Sequence, residues 1–197
     1  MTQLQNQSRK QSPTAAVELI LGGARSGKSH YAEQRALASG LECVYIATAQ
    51  AGDAEMAARI QHHREQRSGF VATIEEPLQL ARVIAEQMSV SRCLLVDCLT
   101  LWLTNLLLLG NEQRFEQEKS ALFDVLQNAH GRILFVSNDV GQGVIPVDAL
   151  SRCFVDESGR LHQQLASVCE RVVFVVAGLP QILKDQAQVL KDELKIS

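Results

Sequence analysis

The stretch Gly22-Gly23-Ala24-Arg25-Ser26-Gly27-Lys28-Ser29 decides the fold. It follows a mostly apolar segment at residues 17–21 that predicts a β-strand, and it precedes a segment whose apolar residues have helical spacing. A Gly-x4-Gly-Lys-Ser segment between a strand and a helix is the Walker A motif, or P-loop, which binds phosphate oxygens through its backbone N–H groups. The first prediction is therefore a P-loop nucleotide-binding protein, and the alternative is a chance glycine-rich turn.

Each residue type in this segment has a mechanical role. Glycines let successive N–H groups turn toward one anion, and a side chain at Gly27 would crowd the phosphates. A helix that begins near Lys28 adds the positive end of its dipole. Lys28 is expected to reach the β- and γ-phosphates, and the Ser29 hydroxyl to complete the shell of a Mg²⁺ ion.

The rest of the chain alternates between predicted strands and helices. Further strands are predicted at residues 43–47, 93–97, 132–137 and 172–176, and helices at 28–38, 53–66, 78–88 (opened by Pro77), 99–109, 112–129 and 148–169. Strands that are apolar throughout indicate a parallel sheet with helices on both faces. The prediction is a single P-loop NTPase-like (RecA-like) α/β domain at residues 17–184, between a disordered polar tail at 1–16 and a C-terminal tail at 185–197.

Composition excludes several classes of protein. A length of 197 residues with 46% apolar and 21% charged residues is ordinary for one globular domain, and a net charge of −3 gives no overall attraction to nucleic acid. The most apolar stretch, residues 94–109, is too short and too polar to span a membrane, and no signal peptide is predicted. Five scattered cysteines favour a reducing cytoplasm over disulfides or zinc.

Asp97 ends the apolar run at residues 93–96, which is the Walker B arrangement. At the tip of a strand next to the P-loop strand, its carboxylate would hold Mg²⁺ directly or through water. The alternative is an N-cap for the following helix, and the two roles are compatible.

The predicted helix at residues 53–66 leads to an unusual basic end. Arg59, His63 and Arg67 lie four residues apart and share one helical face. Flanking arginines would gather phosphate oxygens and keep the imidazole neutral, and a neutral imidazole can attack an α-phosphorus. From composition alone, a solvated basic helix end is the preferred interpretation.

A glycine-rich loop at residues 138–146 follows a predicted strand, so it is expected at the same edge of the sheet as the P-loop. It is either part of the ligand site or a structural turn.

Several further segments occur in the order found in a known family. After the P-loop come Tyr45-Ile46-Ala47-Thr48-Ala49, Asp53-x-Glu55-Met56, Arg59-Ile60-x-x-His63-Arg64, Glu75-Glu76-Pro77-Leu78, Asp97-Cys98-Leu99-Thr100, Thr104-Asn105-Leu106 and Val136-Ser137-Asn138-Asp139-Val140-Gly141. Over residues 19–184 the chain resembles the bifunctional adenosylcobinamide kinase/adenosylcobinamide-phosphate guanylyltransferases of cobalamin biosynthesis.

The resemblance implies two reactions. In the first, ATP or GTP phosphorylates the aminopropanol hydroxyl of adenosylcobinamide. In the second, GTP guanylylates a histidine with release of pyrophosphate, and the GMP passes to the new phosphate to give adenosylcobinamide-GDP. The resemblance also implies a cytoplasmic homotrimer, with the corrinoid as substrate and not as a bound cofactor.

The resemblance assigns the guanylylated residue to His63, with the adjacent His62 as second choice, and a catalytic role to Lys28. The nucleotide contacts that it implies are Gly22, Gly23, Ala24, Arg25, Ser26, Gly27, Lys28, Ser29, Ala47, Thr48, Ala49, Arg64, Glu65, Gln66, Arg67, Glu75 and Asp97. Ser29 and Asp97 are the expected Mg²⁺ ligands, and the carboxylates of Glu75 and Asp97 fit guanine, ribose or metal.

Two features depart from the family pattern: Asp139 stands where glutamate is usual, and His62-His63 doubles the histidine, so the guanylylated residue is ambiguous. Three alternatives to the bifunctional enzyme differ in what they leave unexplained. A regulatory GTPase needs an early Asp-x-x-Gly and a later Asn-Lys-x-Asp, which the sequence lacks. A non-catalytic nucleotide-binding module and a simple small-molecule kinase both leave the His63 segment without a role.

Overall fold

The computed structural model describes residues 16–50 and 69–186, and within them strands and helices alternate. Their bounds are β1 Ala16–Gly22, α1 Lys28–Leu37, β2 Glu42–Ala47, β3 Ala72–Glu75, α2 Leu80–Gln87, β4 Arg92–Asp97, α3 Leu99–Leu108, α4 Glu112–Gln127, β5 Arg132–Asn138, α5 Ala149–Val168, β6 Arg171–Val176 and β7 Leu179–Asp185. The predicted helix at residues 53–66 lies outside the described residues.

The described strands form one sheet in the order β3-β2-β4-β5-β1-β6-β7. Every neighbouring pair is parallel except β6 and β7, which form an antiparallel hairpin. This order confirms the predicted α/β class with a mostly parallel sheet. It also corrects one prediction: the strand that ends at Asp97 is not next to the P-loop strand, because β5 lies between β4 and β1.

Two apolar cores cover the faces of the sheet. Helix α1 buries Ala32 and Ala36 against one face, and the larger core on the other face is centred on Trp102, Leu103 and Phe135. Because the central strands are buried on both faces, nearly all their residues are apolar. Because these strands are parallel, their carboxyl ends lie at one edge of the sheet. The P-loop and Asp97 lie at this edge.

Strands β3 and β7 are absent from the sequence prediction. Most of β3 is exposed, and β7 exposes its first five residues and contains Pro180. Neither strand is a buried apolar run, so neither gives the pattern by which the other strands are found. Strand β7 also includes Asp185, one residue beyond the predicted end of the domain.

The described helices lie within one or two residues of their predicted bounds, and the later start of α2 has a clear cause. Pro77 does not open α2: the Glu76 carboxylate accepts hydrogen bonds from the backbone N–H groups of Leu78 and Gln79, and this turn delays the helix to Leu80. Residues 149–168 form one continuous helix with Asp148 as its N-cap.

No helix among the described residues has the length and apolar character needed to cross a membrane.

Candidate active site

The P-loop adopts a backbone that depends on Gly27. This residue has φ +92°, and a Cβ atom built on it would lie 3.0 Å from the Cα of Gly178 in the β6–β7 turn. L-residues disfavour that φ, and a side chain would press against the backbone of the neighbouring turn. Glycine is thus required here by backbone conformation and packing, apart from any crowding of phosphates.

Lys28 is the first residue of α1 and is only 8% exposed. Its Nζ donates a 3.1 Å hydrogen bond to the carbonyl oxygen of Gly23, across the loop. Burial lowers the pKa of Lys28, and the negative charge of Asp97 opposes that shift in part. The ammonium group therefore lies at the loop with unused donors for phosphate oxygens.

Ser26 ties the loop to the β6–β7 turn. Its carbonyl oxygen accepts a 2.8 Å hydrogen bond from the N–H of Gly178, and its own N–H donates to Gly23. The Ser26 hydroxyl is buried and makes no hydrogen bond with any described residue. A buried hydroxyl without a partner fits an anion or water bound in the loop.

Three predicted contact residues form a row across the carboxyl edge of the sheet. Ala47 pairs in register with Glu75 on one side and with Asp97 on the other. The Asp97 Oδ2 atom accepts a 2.8 Å hydrogen bond from the hydroxyl of Tyr45. The N-cap of α3 is Cys98 and not Asp97, so the capping alternative for Asp97 is wrong.

Thr48 is fully buried and its polar groups are already paired. Its hydroxyl donates to the carbonyl of Cys98 at 2.7 Å and accepts from the N–H of Cys98 at 2.9 Å, while its carbonyl accepts from Asn105. Thr48 therefore joins the ends of β2 and β4. Ala49 is partly exposed beside it, while Ser29 is partly exposed in the first turn of α1.

The tip of β5 lies directly beside the P-loop, at the edge of the sheet where the sequence predicts the loop that follows it. Asn138 pairs in register with Gly22, and the N–H of Asp139 donates to the carbonyl of Gly22 at 3.1 Å. Behind this tip lie Thr100 and His162, two polar side chains to which sequence reasoning gives no role. The sequence offers no signal for His162, because it lies within an amphipathic helix.

The predicted nucleophile and its basic neighbours are not placed. His62, His63, Arg64, Glu65, Gln66 and Arg67 lie outside the described residues, as does Arg59. Across residues 16–50 and 69–186, no group of three or more histidine, cysteine, aspartate or glutamate side chains could hold a metal ion. Mg²⁺ on a nucleotide is held mainly by phosphates and by one or two protein oxygens, so Ser29 and Asp97 fit it by their chemistry.

A strand, a glycine-dependent turn and a helix that begins at a buried lysine, with a strand-end aspartate at the same edge, define a P-loop nucleotide-binding α/β protein. The family model for cobinamide kinase / cobinamide phosphate guanyltransferase matches residues 18–183. The chain belongs to this family, which confirms the resemblance found in its motifs. It is therefore a bifunctional enzyme of the kinase and guanylyltransferase class.

Relatives match along nearly their whole length. The bifunctional adenosylcobalamin biosynthesis protein CobP of Pseudomonas aeruginosa is 57% identical, over 86% of this chain and 98% of its own. The proteins named CobU of Escherichia coli and Salmonella typhimurium are 36% and 37% identical, each over 82% of this chain and 96% of its own. Among solved structures, flagellar accessory protein FlaH from Methanocaldococcus jannaschii aligns with a TM-score of 0.49 and 12% identity, over 88% of this chain and 80% of that one.

Proposed function

We propose that this protein phosphorylates adenosylcobinamide with ATP or GTP. It then transfers GMP from GTP, through a guanylylated histidine, to give adenosylcobinamide-GDP. The observation that carries the proposal is the family match over residues 18–183, which includes a complete P-loop with a buried Lys28. The names of the relatives agree with it, since they are bifunctional proteins of adenosylcobalamin biosynthesis.

In the first step, P-loop N–H groups and Lys28 bind the β- and γ-phosphates. The substrate hydroxyl oxygen attacks the γ-phosphorus, the bond to the β-phosphate oxygen breaks, and the nucleoside diphosphate leaves. A bound Mg²⁺ would supply charge neutralisation on the phosphate oxygens. Its proposed protein ligands are the Ser29 hydroxyl and the Asp97 carboxylate, which the hydrogen bond from Tyr45 orients.

In the second step, the imidazole of His63 attacks the α-phosphorus of GTP and pyrophosphate leaves. A phosphate oxygen of adenosylcobinamide phosphate then attacks the same phosphorus and frees the histidine. Contacts from Ala47, Ala49, Glu75 and the segment from Arg64 to Arg67 are proposed for GTP. The register of Glu75 with Ala47, and of Ala47 with Asp97, supports a shared nucleotide edge.

The remaining parts of the proposal concern the protein as a whole. Residues 17–184 act as the kinase and guanylyltransferase domain, in the cytoplasm and without a nucleic-acid partner. A homotrimer is proposed from family resemblance, and the exposed apolar side chains of β7 (Leu179, Ile182 and Leu183) are consistent with a subunit contact.

Mass spectrometry of the protein after incubation with GTP and Mg²⁺ tests the proposal, provided that acid is avoided. A GMP adduct on the peptide that contains His62 and His63 is expected, and it should be labile in acid because it is a phosphoramidate. Variants His62→Asn and His63→Asn are the matched pair, and only His63→Asn should lose the label. Phosphorylation of adenosylcobinamide without any adduct would instead identify a simple kinase.

A further inference from the structure

A chain of hydrogen-bonded side chains connects helix α5 with the tip of β5. His162 Nε2 lies 2.7 Å from the hydroxyl oxygen of Ser137, which lies 3.2 Å from the hydroxyl oxygen of Thr100. Thr100 Oγ1 in turn accepts a 2.7 Å hydrogen bond from the backbone N–H of Asn138. Ser137 and Thr100 are both buried, so the chain is shielded from water.

This series of hydrogen bonds ends beside the phosphate-binding loop. Strand β5 lies between the P-loop strand and the strand of Asp97, and Asn138 is the register partner of Gly22. The next residue, Asp139, donates its N–H to the carbonyl of Gly22. The backbone of Asn138 is therefore fixed on two sides, by Thr100 and by the attachment of its neighbour to the P-loop.

The side chain of Asn138 has an unused acceptor. Its Oδ1 atom is buried and makes no hydrogen bond within residues 16–50 and 69–186. A buried amide oxygen without a donor is unfavourable, so such an atom at a binding edge indicates a donor supplied by a ligand. Of the groups that meet in the kinase step, the substrate hydroxyl is a donor, whereas phosphate oxygens are acceptors.

We propose that Asn138 Oδ1 accepts the hydrogen bond of the substrate hydroxyl that attacks the γ-phosphorus, and that His162, Ser137 and Thr100 hold Asn138 in place. The inference rests on the proposed kinase function. The hydroxyl oxygen forms the new bond to phosphorus, the bond to the β-phosphate oxygen breaks, and the hydroxyl proton passes to solvent. Asn138 is thus a catalytic residue that orients the nucleophile, and His162 is a positioning residue.

The state of His162 suits this role. Burial lowers the pKa of His162, and the charge of Asp139 opposes the shift only in part, so the imidazole is neutral near pH 7. A neutral imidazole provides one donor and one acceptor, and either can satisfy the Ser137 hydroxyl. The carboxylate of Asp139 accepts hydrogen bonds from the N–H of Gly141 and from the side-chain amide of Gln142, and these two bonds restrict its orientation.

The two reactions allow a sharp test, because only the kinase step uses a hydroxyl nucleophile. Asn138→Ala in the full-length protein should lower kcat for phosphorylation of adenosylcobinamide about 10- to 100-fold, with the KM for nucleotide and the rate of GMP labelling unchanged. An equal loss in both reactions would overturn the proposal and assign Asn138 to nucleotide binding. Unchanged kcat would also overturn it, whereas an inactive wild type would contradict the proposed function itself.

His162 is tested by loss and rescue. His162→Ala should lower kcat of the kinase step by about 10-fold and leave GMP labelling intact, and His162→Asn, whose amide can still bond Ser137, should restore most of it. His130→Ala is the matched control, since His130 is exposed. If His162→Ala lowers thermal stability, the rates of phosphorylation and of GMP labelling are compared at a temperature where the variant is folded. A loss confined to phosphorylation still supports the positioning role. Equal kcat in His162→Ala and His162→Asn would overturn the positioning role.

Discussion

The hydroxyl of Tyr45 donates a 2.8 Å hydrogen bond to Asp97 Oδ2, from one strand to its neighbour in the sheet. Tyr45 is 1% exposed, and its ring packs edge to face against Phe70 with the ring centroids 5.5 Å apart. A core side chain thus directs its polar atom at the carboxylate proposed to bind Mg²⁺. The hydrogen bond restricts the orientation of Asp97 before any ligand binds.

Replacing Tyr45 by Phe should remove this orientation while keeping the ring. We expect kcat to fall about 10-fold and the Mg²⁺ concentration for half-maximal activity to rise, because a hydrogen bond that orients a metal-binding carboxylate commonly contributes 10- to 100-fold. The free energy of unfolding should fall by about 1 kcal/mol. Phe70→Leu is the control, since it loosens the ring contact but keeps the hydroxyl. A Mg²⁺ dependence in Tyr45→Phe equal to that of the wild type would contradict the prediction.

The lowered pKa of the buried Lys28 predicts that nucleotide affinity depends on pH. Burial lowers its pKa below the ordinary 10.5, with partial opposition from Asp97, and a bound triphosphate should raise it again. Between the two pKa values the free protein lacks a proton that the complex holds, so nucleotide affinity falls as the pH rises. Calorimetry from pH 7 to 10 should show weakening affinity together with proton uptake.

Lys28→Arg separates this effect from other titrating groups. Arginine keeps its charge over the whole range, so any remaining fall in affinity belongs to other residues. Lys28→Ala should abolish phosphorylation and GMP transfer alike, because both proposed reactions use the same loop. Turnover of either reaction by Lys28→Ala would contradict a shared P-loop.

The P-loop, α1 and the central strands were predictable because local sequence determines them. Gly27-Lys28-Ser29 follows a buried, mostly apolar strand, and the centres of β4 and β5 are apolar runs buried on both faces. A strand that is buried on both faces has an apolar sequence whichever strands lie next to it in the sheet. The strand can therefore be predicted from its own residues.

What the sequence could not predict depends on the spatial order of the elements. The insertion of β5 between β1 and β4 places Asn138 next to Gly22, and no local pattern encodes that order. The bond from Tyr45 to Asp97 joins residues 52 apart in sequence, and His162 reaches Ser137 from a helix 25 residues later. Strand β7 was missed because its pairing with β6, and not its own hydrophobicity, forms it.

Gly27 and Gly40 provide a matched pair of glycines. Both have positive φ, +92° and +71°, but a Cβ at Gly40 would meet nothing within 4 Å, whereas one at Gly27 would meet Gly178. Each substitution by Ala should cost about 1 kcal/mol of stability from backbone strain, and Gly27→Ala should cost more than Gly40→Ala because its Cβ would press against Gly178. Only Gly27→Ala should also weaken nucleotide binding, by more than about 10-fold. Equal affinities in the two variants, measured by fluorescent-nucleotide titration, would contradict the role of this turn.

The five cysteines, all free, should differ sharply in reactivity. Cys153 is exposed and the other four are buried. Burial raises the pKa of Cys93 to about 12, of Cys98 to about 11 and of Cys169 to about 12. At pH 8 the native protein should therefore react with a thiol reagent at one site, and at five after denaturation. Cys153→Ser should remove the native reaction; a second fast thiol would contradict the burial.

Glu18 is a carboxylate of the sheet interior, 2% exposed, and it binds three cations. Its oxygens lie 3.0 Å from Arg35, 3.1 Å from Arg132 and 3.4 Å from Arg171. Glu18→Gln leaves three guanidinium groups without this negative charge, so the free energy of unfolding should fall by about 3 kcal/mol. This value is at the lower end for a broken buried ion pair, because the three arginines are partly exposed. Glu42→Gln, in an exposed pair with Arg92, should change it by less than about 0.5 kcal/mol. Urea unfolding decides, since equal effects of the two variants would mean that solvent already screens the Glu18 cluster.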